Sequence, residues 1–325
     1  MLKATVLSAI LSASIFAVPA ASSEAWPSRH ITIIVPSGAG GAADTLTRAL
    51  GDKLSSRLGK SVVVENKPGA SGIVGLQAAA RAAPDGYTFV LGWPSSIVAT
   101  QFLYKDLPFN AKRDFAPISL LSINEMVLTV NSSVPVNNVT ELVAWAKQNK
   151  GQVSYGSYGT GSYGHLAPAY LSKHQDLGAT HVPYKGEMPM LMATASNEVA
   201  FSIGVAPTAK RLQEAGKVRV IGLFSRKRSQ MHPEIPTIME AGLTDDAYSV
   251  SGWYGLFAPA GTPPEILSRM EKEVGEIMRM AETRESLSAL GMPLIGSSAQ
   301  ELREAWDTEI PIYERLIKSA EVSLD

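Results

Sequence analysis

The stretch ITIIVPSGAGGAADTLTR, residues 31–48, decides the fold. Its β-branched run, residues 31–35, is typical of a parallel strand covered on both faces. Pro36 cannot continue a central strand, and the glycines after it let the backbone turn tightly. From about Ala42 the apolar residues recur at helical spacing, which predicts a helix. The unpaired N–H groups and the positive dipole end of that helix face the turn, and this geometry binds an anion.

A second glycine-rich loop repeats this arrangement further along the chain. Residues 154–166 read SYGSYGTGSYGHL, which again predicts a short strand, a turn of glycines and hydroxyls, and the start of a helix. Ser157, Thr160 and Ser162 add side-chain donors to the backbone donors. Two donor-rich helix starts, one in each half of the chain, can hold a single anionic ligand in a cleft between them.

Composition excludes several classes of protein. The chain has 325 residues, which is room for two domains or one large one. Its 29 basic and 30 acidic residues are nearly balanced, so neither a nucleic acid nor an anionic membrane is expected as a partner. The absence of cysteine excludes disulfides, thiolate metal sites and cysteine nucleophiles. The histidines lack metal-ligand spacing, and we therefore predict no metal site. We also predict no cofactor and a monomer.

The N-terminus has the pattern of a cleavable signal peptide. Lys3 precedes an apolar stretch, residues 4–18, and small residues follow it with possible cleavage sites after Ala20 or Ala25. At about 15 residues the apolar stretch is short for a membrane span, which needs about 20. We prefer cleavage after Ala25, so residues 1–25 are the predicted signal peptide of an exported protein.

Strands alternate with helices along most of the chain, which predicts parallel βαβ units and an α/β fold. Two apolar, non-helical segments, within residues 115–131 and 250–258, read as crossovers between two lobes. We expect the chain to return to its starting lobe, because long helical patterns follow the second crossover. The predicted lobes are therefore 26–128 with 250–325, and 129–249.

A dinucleotide-dependent oxidoreductase is the main alternative. Residues 38–43 fit the pattern G-x-G-x-x-[GA] of dinucleotide-binding proteins. Glu65 ends the next strand, at roughly the sequence spacing at which an acidic residue binds the ribose hydroxyls in such proteins. The export signal, the closeness of Asp44 to a bound pyrophosphate and the repetition of the loop in both lobes disfavour this class. Glycines that merely permit tight turns are a third interpretation. No G-x-S-x-G, H-E-x-x-H or P-loop lysine is present, and no catalytic residue is predicted.

Seven short motifs occur in a fixed order through most of the chain. They are Val35-Pro36-x-x-Ala39-Gly40-Gly41-x-x-Asp44, Val64-Glu65-Asn66-Lys67-Pro68-Gly69, Pro84-Asp85-Gly86-Tyr87-Thr88, Tyr155-Gly156-Ser157-x-Gly159-x-Gly161-Ser162, Val182-Pro183-Tyr184-Lys185-Gly186, Pro236-Thr237-x-x-Glu240-Ala241-Gly242 and Trp253-Tyr254-Gly255-Leu256-Phe257-Ala258-Pro259. Together they resemble the solute receptors of tripartite tricarboxylate transporters, the TctC-like or Bug-type periplasmic binding proteins. Each motif alone is weak, but the ordered set is specific.

The resemblance implies a two-lobed periplasmic binding protein fold of type II-like architecture, each lobe a mixed sheet flanked by helices. It also implies a small mono-, di- or tricarboxylate ligand, a periplasmic location and delivery to membrane permease subunits. Contacts carried over by motif are Ser37, Ala39, Gly40, Gly41 and Asp44 in the first lobe, and Ser157, Thr160, Ser162, His165, Tyr184 and Lys185 in the second. A subunit that presents its ligand to a membrane sensor would use the same binding physics.

Some positions depart from the family or have two interpretations. Ser37 stands where an aromatic residue is common in the family, which makes that wall of the pocket more polar. Asp44 can orient a ligand hydroxyl or amine, or it can complement the dipole of the first helical turn. His165 can donate to a carboxylate or bond the nearby backbone, and Lys185 can be a ligand contact or a solvated loop residue. The identity of the carboxylate is left open.

Overall fold

The structure, a computed structural model, describes residues 26–324, and the predicted signal peptide lies outside them. Within this range the chain forms ten strands and eleven α-helices. The strands are β1 (Ile31–Val35), β2 (Val62–Asn66), β3 (Thr88–Gly92), β4 (Phe115–Asn124), β5 (Met126–Asn131), β6 (Ser154–Ser157), β7 (Thr180–Pro183), β8 (Phe201–Val205), β9 (Val218–Leu223) and β10 (Gly252–Pro259). The helices are α1 (Ala42–Leu58), α2 (Ile73–Ala80), α3 (Thr100–Leu103), α4 (Ala111–Asp114), α5 (Val139–Gln148), α6 (Tyr163–His174), α7 (Glu187–Ala195), α8 (Ala206–Glu214), α9 (Pro264–Arg279), α10 (Ala281–Ser286) and α11 (Ala299–Ala320).

The first sheet has the strand order β2-β1-β3-β10-β4. Strand β1 pairs in parallel with β2 and β3, as its β-branched sequence predicts, and β10 runs antiparallel between β3 and β4. Ile31, Ile33 and Val35 pack in one hydrophobic cluster with buried residues of α1 and α9. Ile34 points to the opposite face and packs in a cluster that includes Leu76 of α2. Helices therefore cover both faces of this sheet, which explains the unbroken apolar run of β1.

The second sheet repeats this plan with the order β7-β6-β8-β5-β9. Strand β6 pairs in parallel with β7 and β8, and β5 runs antiparallel between β8 and β9. Strands β1 and β6 thus occupy the same place, second from one edge, in the two sheets. The glycine-rich loops after them lead into α1 and α6 at matching positions. The predicted α/β fold of two lobes, each a mixed sheet flanked by helices, is confirmed.

The chain passes between the sheets twice. Strand β4 ends at Asn124 and β5 begins at Met126, so the first crossing is at Glu125. The predicted lobe boundary after residue 128 lies inside β5, because the apolar pattern continues across the change of sheet. The segment 250–258, which we predicted as the second crossover, is mostly strand β10. Its partners are more than a hundred residues earlier in the chain, so no local pattern reveals this pairing.

The C-terminal helix α11 joins the hydrophobic cores of the two lobes. It begins with a capping box, in which Ser298 and Glu301 each bond the other's backbone N–H. Its buried face includes Trp306 and Tyr313, and the helix packs against β4 of the first sheet and α6 of the second lobe. One hydrophobic cluster therefore extends through both lobes. Across residues 26–324, no helix has the length and apolarity that a membrane crossing requires.

Candidate functional site

A cavity of about 600 Å³, the main cavity, lies between the two lobes. The first lobe contributes the loop after β1 and the loop after β3, and the second contributes residues such as Tyr158 and Val205. A smaller space of about 320 Å³, the side cavity, shares Ser37, Trp93, Ser95 and Tyr158 with it and extends to residues 159–162. The two glycine-rich loops therefore border two adjacent cavities that share part of their walls.

The N-terminus of α1 opens into the main cavity. Gly41 is the N-cap residue, with extended backbone angles of φ −82° and ψ 174°, and its carbonyl accepts the first intrahelical bond from Thr45 N–H at 2.9 Å. The N–H groups of Ala42 and Ala43 come before that bond and have no partner inside the helix. Gly41, Ala42 and Ala43 all line the cavity. This wall offers backbone donors and the positive end of a helix dipole, which favours an anion.

Asp44 holds the first loop in place and does not line either cavity. Its buried carboxylate accepts hydrogen bonds from Gly40 N–H at 2.8 Å, Asn66 Nδ2 at 2.9 Å and Arg48 Nε at 3.0 Å. The bond from Arg48 is the largest cause that lowers the pKa of Asp44 from 3.8 to about 2, although burial opposes the shift. Asp44 therefore connects the loop, α1 and β2 as a fixed negative charge.

The second loop reaches the side cavity through Thr160, Gly161 and Ser162. Ser162 is the N-cap of α6, but its hydroxyl donates to Gly159 O at 2.6 Å, a bond within the loop. Gly161 has φ +78°, and a Cβ there would lie 2.7 Å from Leu103 of α3. A side chain at this position would strain the backbone and displace Leu103, which favours glycine.

Ser157 and His165 support the second loop from behind. His165 Nδ1 accepts the N–H of Gly161 at 3.1 Å, and its ring stacks on His181 with centroids 3.7 Å apart. Burial and, secondarily, the neighbouring His181 lower the pKa of His165 to about 4, so this ring is neutral at pH 7. Ser157 is buried, with its hydroxyl 2.7 Å from His181 Nε2. Neither Ser157 nor His165 lines the main or the side cavity.

Four other predicted residues lie away from the main and side cavities. Ala39 and Gly40 are exposed on the first loop. Tyr184 donates its hydroxyl to the exposed carboxylate of Glu198 at 2.8 Å, and Lys185 is exposed. The two residues that follow, Gly186 and Glu187, do line the main cavity. Tyr184 and Lys185 therefore lie on the same loop as cavity-lining residues but outside the cavity wall itself.

Six aromatic residues line the main cavity, and local sequence patterns indicated few of them. Trp93 and Tyr254 contact each other edge to face with ring centroids 6.1 Å apart, and Tyr158, Tyr163 and Tyr313 also line the space. Tyr254 belongs to a family motif, and Trp93 immediately precedes a loop that follows a predicted strand. Tyr313 comes from α11, far along the chain, and nothing in its local sequence marks it as part of a site.

The cavity residues favour binding over catalysis. Backbone donors, aromatic rings and the carboxylate of Glu187 surround the space, and none of its lining residues within 26–324 is Lys, Arg or His. In the same part of the chain, no cluster of His, Asp and Glu side chains is placed to hold a metal ion. Two α/β lobes that enclose a ligand-sized cavity at their helix N-termini define a solute-binding protein.

Comparisons with known proteins agree with this class. Residues 46–322 match the family model described as tripartite tricarboxylate transporter family receptor, and the chain belongs to this family. The protein BugT of Bordetella pertussis is 30% identical over 281 residues, which are 86% of this chain and 86% of BugT. A structure of an R. palustris protein with adipate has a TM-score of 0.79 and 32% identity, covering 92% of this chain and 99% of that one. MatC from Rhodopseudomonas palustris with bound malate has a TM-score of 0.74 and 26% identity, covering 90% of this chain and 100% of that one.

These findings confirm the resemblance to TctC-like, Bug-type receptors. They also decide between the alternatives, because the family consists of periplasmic transporter receptors and not of enzymes. The chain is a solute receptor, and the interpretation as a dinucleotide-dependent oxidoreductase is not supported.

Proposed function

We propose that this receptor captures a small carboxylate in the main cavity and delivers it to the permease subunits of a tripartite tricarboxylate transporter. The open N-terminus of α1, with Gly41, Ala42 and Ala43 on the cavity wall, is the observation that carries this proposal. A carboxylate there would meet several N–H donors and a helix dipole of favourable sign. Family members whose structures contain adipate and malate support the same ligand class.

The predicted contact residues divide into two groups in this proposal. Ser37, Gly41, Thr160 and Ser162 line the main or the side cavity and would meet the ligand or its bridging waters. The others act through the loops that carry these contacts: Ala39, Gly40, Asp44, Ser157, His165, Tyr184 and Lys185. Asp44 and His165 fix one loop each, because each accepts a backbone N–H of a loop glycine.

Closure of the two lobes over the ligand would complete the site. The moving units are the predicted lobes, 26–128 with 250–325 and 129–249, with the first boundary moved to Glu125 because β5 belongs to the second sheet. The crossings at Glu125 and before β10 would be the hinges. A bound carboxylate stabilises the closed form, since both donor sets reach it only there. We further propose that residues 1–25 are removed as a signal peptide and that the mature receptor is a periplasmic monomer.

A thermal-shift screen over mono-, di- and tricarboxylates, with the matching amides as neutral controls, tests the ligand class. We expect at least one acid to raise the midpoint of unfolding and its amide to have no effect. Micromolar affinity corresponds to about −8 kcal/mol, which several charge-assisted hydrogen bonds can supply. If no carboxylate shifts the midpoint while NAD or NADP does, the proposal is wrong. Copurification with the permease subunits, and not with a membrane kinase, tests the partner.

A further inference from the structure

The main cavity has opposite electrostatic poles. The N-terminus of α1 provides the pole that attracts an anion. Among the described residues that line this cavity, Glu187 is the only Asp, Glu, His, Lys or Arg. A carboxylate on the wall of a site for carboxylates repels a second negative charge on the ligand unless something neutralises it.

The local structure holds Glu187 firmly in this position. It is the first residue of α7, after Gly186, whose φ of +111° is open to glycine but strained for other residues. Its Oε1 accepts the N–H of Val205, at the end of β8, at 2.7 Å. No hydrogen bond or ion pair joins its second oxygen to any residue within 26–324. Glu187 thus has one oxygen committed to the fold and one available to a ligand.

The positive charge near Glu187 is only partial, because it comes from the N-terminus of α7 and not from an ion-paired basic side chain. Arg211 of α8 is close enough to act on its pKa, but it is exposed and makes no ion pair with it. Burial is the larger effect and raises the pKa of Glu187 above its ordinary value, although the bond from Val205 and the charge of Arg211 act in the opposite direction. A cation delivered by the ligand would supply this missing partner.

The rings beside Glu187 are suited to the same cation. Trp93, Tyr158 and Tyr254 line the main cavity together with Glu187. Aromatic faces attract ammonium groups, and the attraction increases when the site is shielded from water. Glu187 is close enough to Tyr158 and Tyr254 to act on their pKa values, and a carboxylate near aromatic rings favours a protonated amine over a second carboxylate.

We propose that the ligand of this receptor is an amino acid in the broad sense, with its carboxylate at the N-terminus of α1 and its protonated amine at Glu187. This inference rests on the proposed function, because it assigns the second pole of the same cavity. It makes Glu187 a specificity-determining residue that selects zwitterions over dicarboxylates. In this proposal the N-terminus of α1 binds the carboxylate that all these ligands share, and Glu187 selects ligands by the group at their other end.

Calorimetry with matched ligand sets tests the inference in the intact mature protein. The first set is butyrate, γ-aminobutyrate and succinate, the second is caproate, ε-aminocaproate and adipate, and a third pair is isocaproate and leucine. Within at least one set we expect the amine-bearing member to bind about tenfold or more tightly than its matched acids, as a charge-assisted hydrogen bond provides. Because the comparison is made within the wild-type protein, it does not depend on the folding of a variant.

Two variants then assign the effect to Glu187. In Glu187→Gln the amide oxygen can still accept Val205 N–H, so the fold is preserved while the charge is removed. We expect this variant to lose about tenfold or more in affinity for the amine and to gain affinity for the dicarboxylate. Glu214→Gln removes an exposed carboxylate of α8, in the same lobe but outside both cavities, and its affinities should equal those of wild type.

The outcomes separate this inference from the proposed function. Binding of a mono- or dicarboxylate more tightly than the amine in every set overturns the inference and leaves the carboxylate receptor intact. An equal response of both variants also overturns it. If no ligand of any set binds, the inference is overturned, and if the wider carboxylate screen is negative as well, the proposed function itself is wrong.

Discussion

Replacing Asp44 by asparagine tests whether this residue fixes the first loop or contacts the ligand. The carboxylate accepts hydrogen bonds from Gly40, Asn66 and Arg48, and the side chain is only 5% exposed. Asparagine has nearly the same shape but lacks the charge, and it offers one acceptor oxygen instead of two. If Asp44 fixes the loop, the ligand-free protein will lose stability. A residue that only contacts the ligand would change affinity alone.

The expected loss follows from the bonds that Asp44 makes. A hydrogen bond to a charged group contributes about 1.5–3 kcal/mol, whereas a neutral one contributes about 1 kcal/mol. The ion pair adds little, about 0–1 kcal/mol, because Arg48 is 48% exposed. Since asparagine retains one acceptor, we expect Asp44→Asn to lower the free energy of unfolding by about 1–3 kcal/mol. At about 2–4 °C per kcal/mol, the midpoint of unfolding falls by several degrees.

The dependence on pH provides a second measurement. The pKa of Asp44 is about 2 in the folded protein and 3.8 ordinarily, so between these values the unfolded chain binds a proton that the folded chain does not. The stability due to this carboxylate is therefore complete above about pH 4 and is lost as the pH falls toward 2. In Asp44→Asn this part of the acid-induced loss should be absent.

Thermal and denaturant unfolding of the ligand-free protein, from pH 7 to pH 2.5 or so, provide the assay. Asp52→Asn is the matched control, because Asp52 is an exposed acid on the same helix. It should leave the stability close to that of wild type, within about 0.5 kcal/mol. Equal stability of Asp44→Asn and Asp52→Asn in the absence of ligand would refute the argument and return Asp44 to the role of a ligand contact.

Three further predictions concern the cavity wall, the second loop and a buried acid. The backbone angles of Gly41 are allowed for other residues, and a Cβ added there meets nothing within 4 Å, so Gly41→Val should keep a near-native fold. Calorimetry should show that its affinity for the carboxylate is reduced about tenfold or more. The control Asn138→Ala, which removes the cap of α5, should lower stability but not affinity. His165 has a folded pKa of about 4, below its ordinary 6.5, so wild-type stability falls as the pH falls through that range, and unfolding curves of His165→Asn should fall less. Burial raises the pKa of Glu309 well above 4.5, so stability is lost as the pH rises above about 4.5, and Glu309→Gln should abolish this component in the same assay.

Each of these three predictions has an outcome that contradicts it. Unchanged affinity in Gly41→Val would show that the carboxylate does not bind at the N-terminus of α1. An acid-induced loss as large in His165→Asn as in wild type would show that this ring does not remain neutral in the fold. The Glu309 prediction fails if the variant and the wild type have parallel profiles above pH 4.5.

The sequence predicted the elements that depend on local chemistry. Consecutive residues determine the β-branched strand β1, the turn at Pro36 and the helix that follows. The structure has all three. The second loop, before α6, was predicted for the same reason. Its equivalence to the first loop could be recognised because both use glycine and short polar residues between a strand and a helix.

The parts that could not be predicted depend on pairs of residues far apart in the chain. Gly40 and Gly41 look alike in sequence, yet Gly40 has φ +84° and donates to Asp44, while Gly41 faces the main cavity. The partner that Asp44 finds on β2, Asn66, is visible only in the folded molecule. Tyr313 reaches the cavity because α11 packs across both lobes, which no pattern within α11 reveals.

The position of β10 has a consequence for the order in which the molecule can assemble. Strand β4 borders only β10 in the first sheet, and β10 is made from residues 252–259. On the ribosome, β1 to β4 emerge well before this strand, whereas the strands of the other sheet, from Met126 to Leu223, are contiguous. Strand β4 therefore cannot pair within its sheet until β10 has been synthesised, late in the chain. During that interval β1, β2 and β3 can pair with one another, but β4 cannot join their sheet.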